Sequence, residues 1–325
     1  MNQSIRMPRR ALALAAASLA VPGLARAQPA WPTQPVRIAV PTAPGTSPDI
    51  AARLYAEGLA ARWGVPVTVE SRPGAGGAVA AEYLTQQRDG HTLMLTFIGV
   101  LTAAPLLYAK LPFDPAEIAP VSVGVADALV LVTPKTLAYA TLADAVASFR
   151  SQPGKLNYAT GGADDYLAML SFVRGQGLQM EFIAYRSSVL AIPDLTQGRV
   201  HFLLVPLAAA LPQARAGTLQ MLAVTNSQRS EAAPEVPTVA EAGFPDMTFQ
   251  PTLVFLAPAA MPAVLRERIA GDVRAVAGAP DFAEKFKPLG MVASTSTPEA
   301  LGQQIVTVRQ HWTERARAYG VQPMN

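Results

Sequence analysis

The sequence contains no cysteine, only three histidines and three tryptophans, and only 15% of it is charged. Without cysteine the chain can form no disulfide framework, use no thiolate as nucleophile or metal ligand, and carry no lipid on a cysteine. His91, His201 and His311 stand far apart, none has a partner at metal-ligand spacing, and no HExxH pattern occurs. They read as a turn residue, a strand-face residue and a helix-surface residue. A GxSxG elbow is also missing. The adjacent acids Asp164 and Asp165 have no neighbouring nucleophile or metal cluster that would make them an acid/base pair. The expectation is a protein that is not an enzyme and uses no cofactor or metal, with an exported hydrolase as the alternative.

What is present begins with a leader. Arg6, Arg9 and Arg10 precede the apolar run ALALAAASLAVPGLA, which ends in Ala25-Arg26-Ala27, the small-x-small pattern of a signal peptidase site. The run is shorter than the roughly 20 apolar residues of a spanning helix and contains Pro22 and Gly23. Residues 1–27 therefore read as a signal peptide, and the expected location is the periplasm. Four of the 26 basic residues lie in this segment and none of the 23 acidic ones, which leaves 22 against 23 in the mature chain, a balance of about −1. With no net positive charge and no Lys/Arg stripe, nucleic acid is not an expected partner. About 298 mature residues are too many for one small core and suit two lobes.

Along the mature chain, short β-rich runs alternate with helical ones. VRIAV (36–40), PVTVE (66–70), TLMLTF (92–97), APVSVGV (119–125), ALVLVT (128–133), LNYAT, MEFIAY, VHFLLV, LQMLAVT and TLVFLAPA have strand character, and amphipathic segments separate most of them. Near-continuous apolar strands between helices predict an α/β fold of two lobes, each a mostly parallel sheet flanked by helices. In the last helix Leu301, Ile305, Val308 and Trp312 recur every three to four residues and form one stripe for packing on a lobe. The stretch PTAPGTSPDIAARL (41–54) joins a strand to a helix through small residues. Such a turn either aims free N–H groups at an anion or simply connects the two elements.

Several blocks, in this order, carry a family resemblance: PTAPGTSPDIAARL, VTVESRPGAGG, DGHTLML, LPFDP, PGKLNYATGG, LTQGRV, and EVPTVAEAGFP followed by LAPAAMP. From about Trp31 to the C-terminus the chain resembles the periplasmic solute receptors of tripartite tricarboxylate transporters, the Bug-type receptors. The resemblance implies a type II periplasmic binding protein fold whose chain crosses twice between lobes, one at 28–128 plus 254–325 and the other at 129–253. It further implies a small organic acid or amino acid as ligand, membrane permease subunits as partners, and a monomer. Delivery to a membrane signalling kinase instead of a permease is the alternative role.

Carried over position by position, the resemblance implies a ligand set of Thr42, Pro44, Gly45, Thr46, Ser47 and Asp49 in the first loop, with Gly76 and Phe97 nearby. Thr160, Gly161, Gly162 and Ala163 form the second loop, and Tyr185, Arg186, Ser187 and Val205 complete the set. Pro48 and Asp49 also fit ordinary roles at a helix start, because proline is preorganised for the first turn and an acid there complements the helix dipole. The glycines Gly74, Gly76 and Gly77 serve either close approach or a turn, and Arg72 suits an ion pair better than a ligand. Besides Pro48, which removes one N–H from a loop that is usually more Gly-rich in the family, and Ser187, where the family has Gly, four positions depart from the family pattern. Val205 stands where relatives commonly have Asp, Thr252 where many have Trp, and Asp164 and Asp165 where relatives have hydroxyl residues. These departures suggest a roomier, less polar pocket and, if the acids face it, one unsuited to a bare di- or tricarboxylate; helix capping is the competing role for the acids.

Overall fold

Short apolar runs bounded by turn residues become strands, and longer patterned runs become helices, throughout the computed structural model, which describes residues 31–323. The expected signal peptide, residues 1–27, lies outside them. In chain order the elements are β1 (Val36–Val40), α1 (Ser47–Trp63), β2 (Val67–Ser71), α2 (Ala78–Gln86), β3 (Thr92–Phe97), α3 (Gly99–Thr102), α4 (Ala104–Leu107), β4 (Ile118–Ala126), β5 (Leu129–Pro134), α5 (Leu142–Arg150) and β6 (Leu156–Thr160). There follow α6 (Ala163–Gly175), β7 (Met180–Ala184), α7 (Ile192–Thr196), β8 (Phe202–Pro206), α8 (Leu207–Arg215), β9 (Leu219–Val224), β10 (Thr252–Pro258), α9 (Ala263–Ala277), α10 (Pro280–Glu284), β11 (Val292–Ala293) and α11 (Pro298–Ala318). No helix among the described residues is long and apolar enough to cross a membrane.

Helix ends follow local chemistry. Pro48 and Asp49 start α1, and Gly64 ends it in the left-handed region at φ 70°. Thr141 and Asp144 form a reciprocal capping box on α5. Thr297 accepts the Ala300 N–H at the head of α11. On α11 the predicted stripe is used: Leu301, Ile305 and Trp312 are buried, each worth about 1.5–3 kcal/mol by burial, and Val308 packs beside them.

The strands form two sheets, in the orders β11-β4-β10-β3-β1-β2 and β7-β6-β8-β5-β9. β1 runs parallel to β2 and β3, and β6 runs parallel to β7 and β8. β10 is antiparallel to β3 and β4, β11 to β4, and β5 to β8 and β9. The sheets are thus mixed, whereas the strand-helix alternation suggests mostly parallel ones. Connectivity is the reason. Strand-helix-strand crossovers build the parallel half of each sheet, but β5 and β10 arrive from the other sheet and insert antiparallel.

The second sheet is covered on both faces. Leu129, Phe149, Tyr158 and Phe202 belong to one buried cluster, and Val130, Leu203, Val205 and Leu207 to another. In the first sheet Val254, Leu256 and Met94 pack with α2 and α11 residues. Tyr55 meets Phe255, Phe282 and Phe286 and donates to the Gly124 carbonyl at 2.6 Å. A further apolar cluster joins the two sheet layers: Ala163, Leu167 and Ala168 of α6 pack with Ala103, Ala104, Leu107, Trp312 and Ala316. It brings the N-terminus of α6 against α3 and fixes the cleft between the sheets.

Candidate functional site

Two strand-to-helix turns, one from each sheet, line a single cavity. From the first sheet come Thr42, Thr46 and Pro48 of the β1–α1 turn, Gly76 and Gly77 ahead of α2, and Phe97 and Gly99 beyond β3. From the second come Gly161, Gly162 and Ala163 of the β6–α6 turn, Arg186, Ser187 and Ser188 after β7, and Pro206 at the end of β8. The N-termini of α1, α2, α6 and α8 therefore converge here, and none of the four has a side-chain cap. Uncapped helix N-termini present N–H groups and a positive dipole end.

The glycines are required by geometry at two places. Gly76 and Gly77 have φ of 59° and 102°, and a Cβ on Gly76 would sit 3.8 Å from Ala163 in the opposite sheet layer. Gly161 packs so closely on the next turn that a Cβ would stand 2.1 Å from the Ser188 backbone nitrogen.

The predicted residues divide into two groups. Thr42, Thr46, Gly76, Phe97, Gly161, Gly162, Ala163, Arg186 and Ser187 line the cavity. Pro44 and Gly45 are exposed on the outer side of their loop. Gly45 gives its N–H to Asp49 Oδ2 at 3.0 Å, and Asp49 pairs with Arg53 at 2.9 Å, so this acid closes the loop and is not a cavity residue. Thr46 donates to the Ala43 carbonyl at 2.8 Å and receives the Thr42 hydroxyl at 2.6 Å, which makes the two threonines a brace. Tyr185 donates to Asp194, away from the cavity. Val205 is buried among the helices behind the second sheet, because side chains alternate along β8 and its neighbour Pro206 takes the cavity side. Thr252 also lies outside the lining, with its hydroxyl on the Gln250 carbonyl. Neither departure from the family pattern at 205 and 252 therefore reshapes the cavity wall directly. Arg72 pairs with Glu70 at 2.9 Å and lies over Tyr83, outside the cavity.

The electrostatics are set by three aspartates. Asp164 and Asp165, in the first turn of α6, both face the cavity and are buried. Asp127, in the link from β4 to β5, is fully buried and acts on Asp165. Burial pushes each carboxyl up to about 7; for Asp165 the charges of Asp164 and Asp127 add to it. Against this, Thr102 and the Gly99 N–H favour the charged form of Asp164, and the Gly162 N–H favours that of Asp165. Ser47 lies beside Asp127 and Thr160 beside Asp165, yet Ser47 Oγ, Asp127 Oδ2 and Thr160 Oγ1 all fall short of hydrogen-bond geometry and have no partner among the described residues. Among the described residues Arg186 is the one cation in the lining, exposed and without an ion pair to them.

Sequence reasoning missed Asp127, Gly99, Ser188 and Pro206. An acid between the apolar runs VSVGV and ALVLV is itself a signal for Asp127, because a charge there is buried. α3 is too short for periodicity to reveal it.

A family model described as the tripartite tricarboxylate transporter family receptor matches residues 51–317. Protein BugT of Bordetella pertussis is 30% identical over 318 residues, spanning 96% of this chain and 98% of that protein. An R. palustris protein solved with adipate is 28% identical, with a TM-score of 0.86 over 90% of this chain and all of that one. MatC from Rhodopseudomonas palustris, solved with bound malate, is 25% identical, with a TM-score of 0.81 over 88% of this chain and 99% of that one.

Proposed function

The chain belongs to the tripartite tricarboxylate transporter receptor family, and on that premise we propose that it is an exported receptor that captures one small organic acid and delivers it to membrane permease subunits. The observation that carries this reading is the single cavity lined from both sheets by uncapped helix starts. Such a site holds a small guest from two sides, and backbone N–H groups at the helix starts are directed donors for its carboxylate.

In this reading the lobes are residues 28–128 with 254–325, and 129–253. Residues 1–27 direct export to the periplasm, and the mature protein works as a monomer without a cofactor. Thr42, Thr46, Gly76, Phe97, Gly161, Gly162, Ala163, Arg186 and Ser187 touch the ligand. Pro44, Gly45, Ser47, Asp49, Thr160, Tyr185 and Val205 support the loops that do. Adipate and malate, found in two structural neighbours, set the size class of the ligand.

Thermal unfolding of the mature chain, stripped of bound ligand, against several hundred small acids, amino acids and aromatic acids tests the reading. A true ligand at one hundred times its dissociation constant adds about 2.7 kcal/mol of stability. A protein that responds to none of them is not such a receptor.

A further inference from the structure

The cavity is bipolar. Toward the first sheet its wall is made of the α1 and α2 starts, with Thr42, Thr46, Gly76 and Gly77 and no acidic side chain. Toward the second sheet the α6 start carries the buried Asp164 and Asp165, with Asp127 behind Asp165, and the one cation of this wall among the described residues, Arg186 after β7, is exposed. Resting on the receptor reading above, we propose that the ligand is a zwitterion, a small carboxylic acid bearing a cationic nitrogen such as an amino acid or a betaine. Its nitrogen lies at Asp164 and Asp165, and its carboxylate lies toward the α1 and α2 starts on the opposite wall.

Capping alone does not account for the acids. The Gly162 N–H and Thr160 lie at Asp165, two donors, while Thr102, the Gly99 N–H and Trp312 lie at Asp164, three donors. An ionised carboxylate has about four acceptor sites, so each group keeps at least one, and both residues line the cavity. Thr160 Oγ1 beside Asp165 and Asp127 Oδ2 behind it are buried and without a hydrogen-bond partner among the described residues. Buried polar atoms are normally paired, and these two stand behind the lining, beside the acid that faces the cavity. A guest bringing a second carboxylate to this wall would meet like charge, whereas an ammonium supplies three donors and opposite charge. A metal ion is a poor alternative, since no three acidic or histidine side chains among the described residues converge as ligands.

The same geometry fixes the direction of proton exchange. The titratable and charged groups in the lining are Asp164, Asp165 and Arg186, with Asp127 behind Asp165. The three carboxyls sit at about 7 in the free protein. A cationic nitrogen stabilises their ionised form, lowers those values and releases protons near pH 7. A bare carboxylate does the reverse and takes protons up.

The test is isothermal titration of the mature protein at pH 7 with the protein-forming amino acids and glycine betaine. Each is paired with its counterpart lacking the nitrogen: leucine with 4-methylpentanoate, glutamate with glutarate, betaine with 3,3-dimethylbutyrate. The expected result is at least one nitrogen-bearing compound binding tenfold or more tighter than its counterpart. Repeating that titration in buffers of different ionisation enthalpy is expected to show proton release. In Asp165→Asn the preference for the nitrogen-bearing compound over its counterpart falls at least tenfold. If nitrogen-free acids bind as well or better, or binding takes up protons, the zwitterion inference fails while the receptor reading stands. If neither kind binds, both fail. Should Asp165→Asn not fold, the pairwise preference and the sign of proton exchange in the unsubstituted protein still decide.

Discussion

Thr102 Oγ1 lies 3.2 Å from Asp164 Oδ1, so that a helix attached to the first sheet donates to the opening turn of the second sheet's α6. The bond crosses the cleft where the two layers meet, and Gly99, three residues earlier, leaves the room for it. A Cβ at Gly99 would stand 2.4 Å from the Asp164 carboxyl carbon.

Gly99→Ala should therefore keep the cleft from closing on its ligand. The expected outcome is a dissociation constant raised at least tenfold, about 1.4 kcal/mol, with a larger radius of gyration in solution scattering when ligand is present. An unchanged affinity would show that this approach of α3 to α6 is not needed for binding.

Gly161→Ala strikes the other turn. Its Cβ would meet backbone at Ser188, which cannot swing aside as a flexible side chain can. Overpacking of this kind costs about 1–3 kcal/mol, and the shifted loop should also lose its ligand. Chemical denaturation and titration together check this, and a variant of full stability and affinity would contradict the described packing.

The two hydroxyls of the first loop should behave differently. Thr46→Ala removes the brace to Ala43 and Thr42 and is expected to lower stability by about 1 kcal/mol, as for a typical hydrogen bond. Ser47→Ala deletes a buried hydroxyl that has no partner, so stability should hold or rise. Equal losses of stability in the two variants would refute the distinction.

Acid pH should stabilise the ligand-free protein. Asp127, Asp164 and Asp165 sit at about 7, against the ordinary 3.8 that applies once the chain unfolds. A folded value above the unfolded one means that the fold binds protons more tightly. The stability this confers is full below about pH 4 and is lost as pH rises through 7. Each pH unit of displacement is worth about 1.4 kcal/mol. Half-buried His201 and exposed His311, both lowered by burial of the ring, pull the other way but are outweighed by three deeply buried acids. The melting temperature should thus be higher at pH 5 than at pH 8, and Asp165→Asn should flatten the difference. A melting temperature that rises over this range would show the acids to be ionised without cost.

Local pattern was enough for much of this fold. LNYAT is a strand over the predicted residues, the α11 stripe is buried as its spacing requires, and PTAPGTSPDI makes a strand-to-helix turn whose threonines reach the cavity. Each of these depends on neighbours within one or two turns of chain, and periodicity and capping chemistry act over that range. Tertiary structure decided the rest. The chain arrives in each sheet from the other one, which makes half of each sheet antiparallel. Single-residue parity on β8 sends Val205 into the helical layer and leaves the cavity to Pro206. Asp127 is brought up behind Asp165, and Asp164 against Thr102, only because the two sheets close over one another. Burial displaces a carboxyl's proton affinity, and burial is a property of the assembled fold. The sequence alone therefore contained the acids but not their charge state or the face they present.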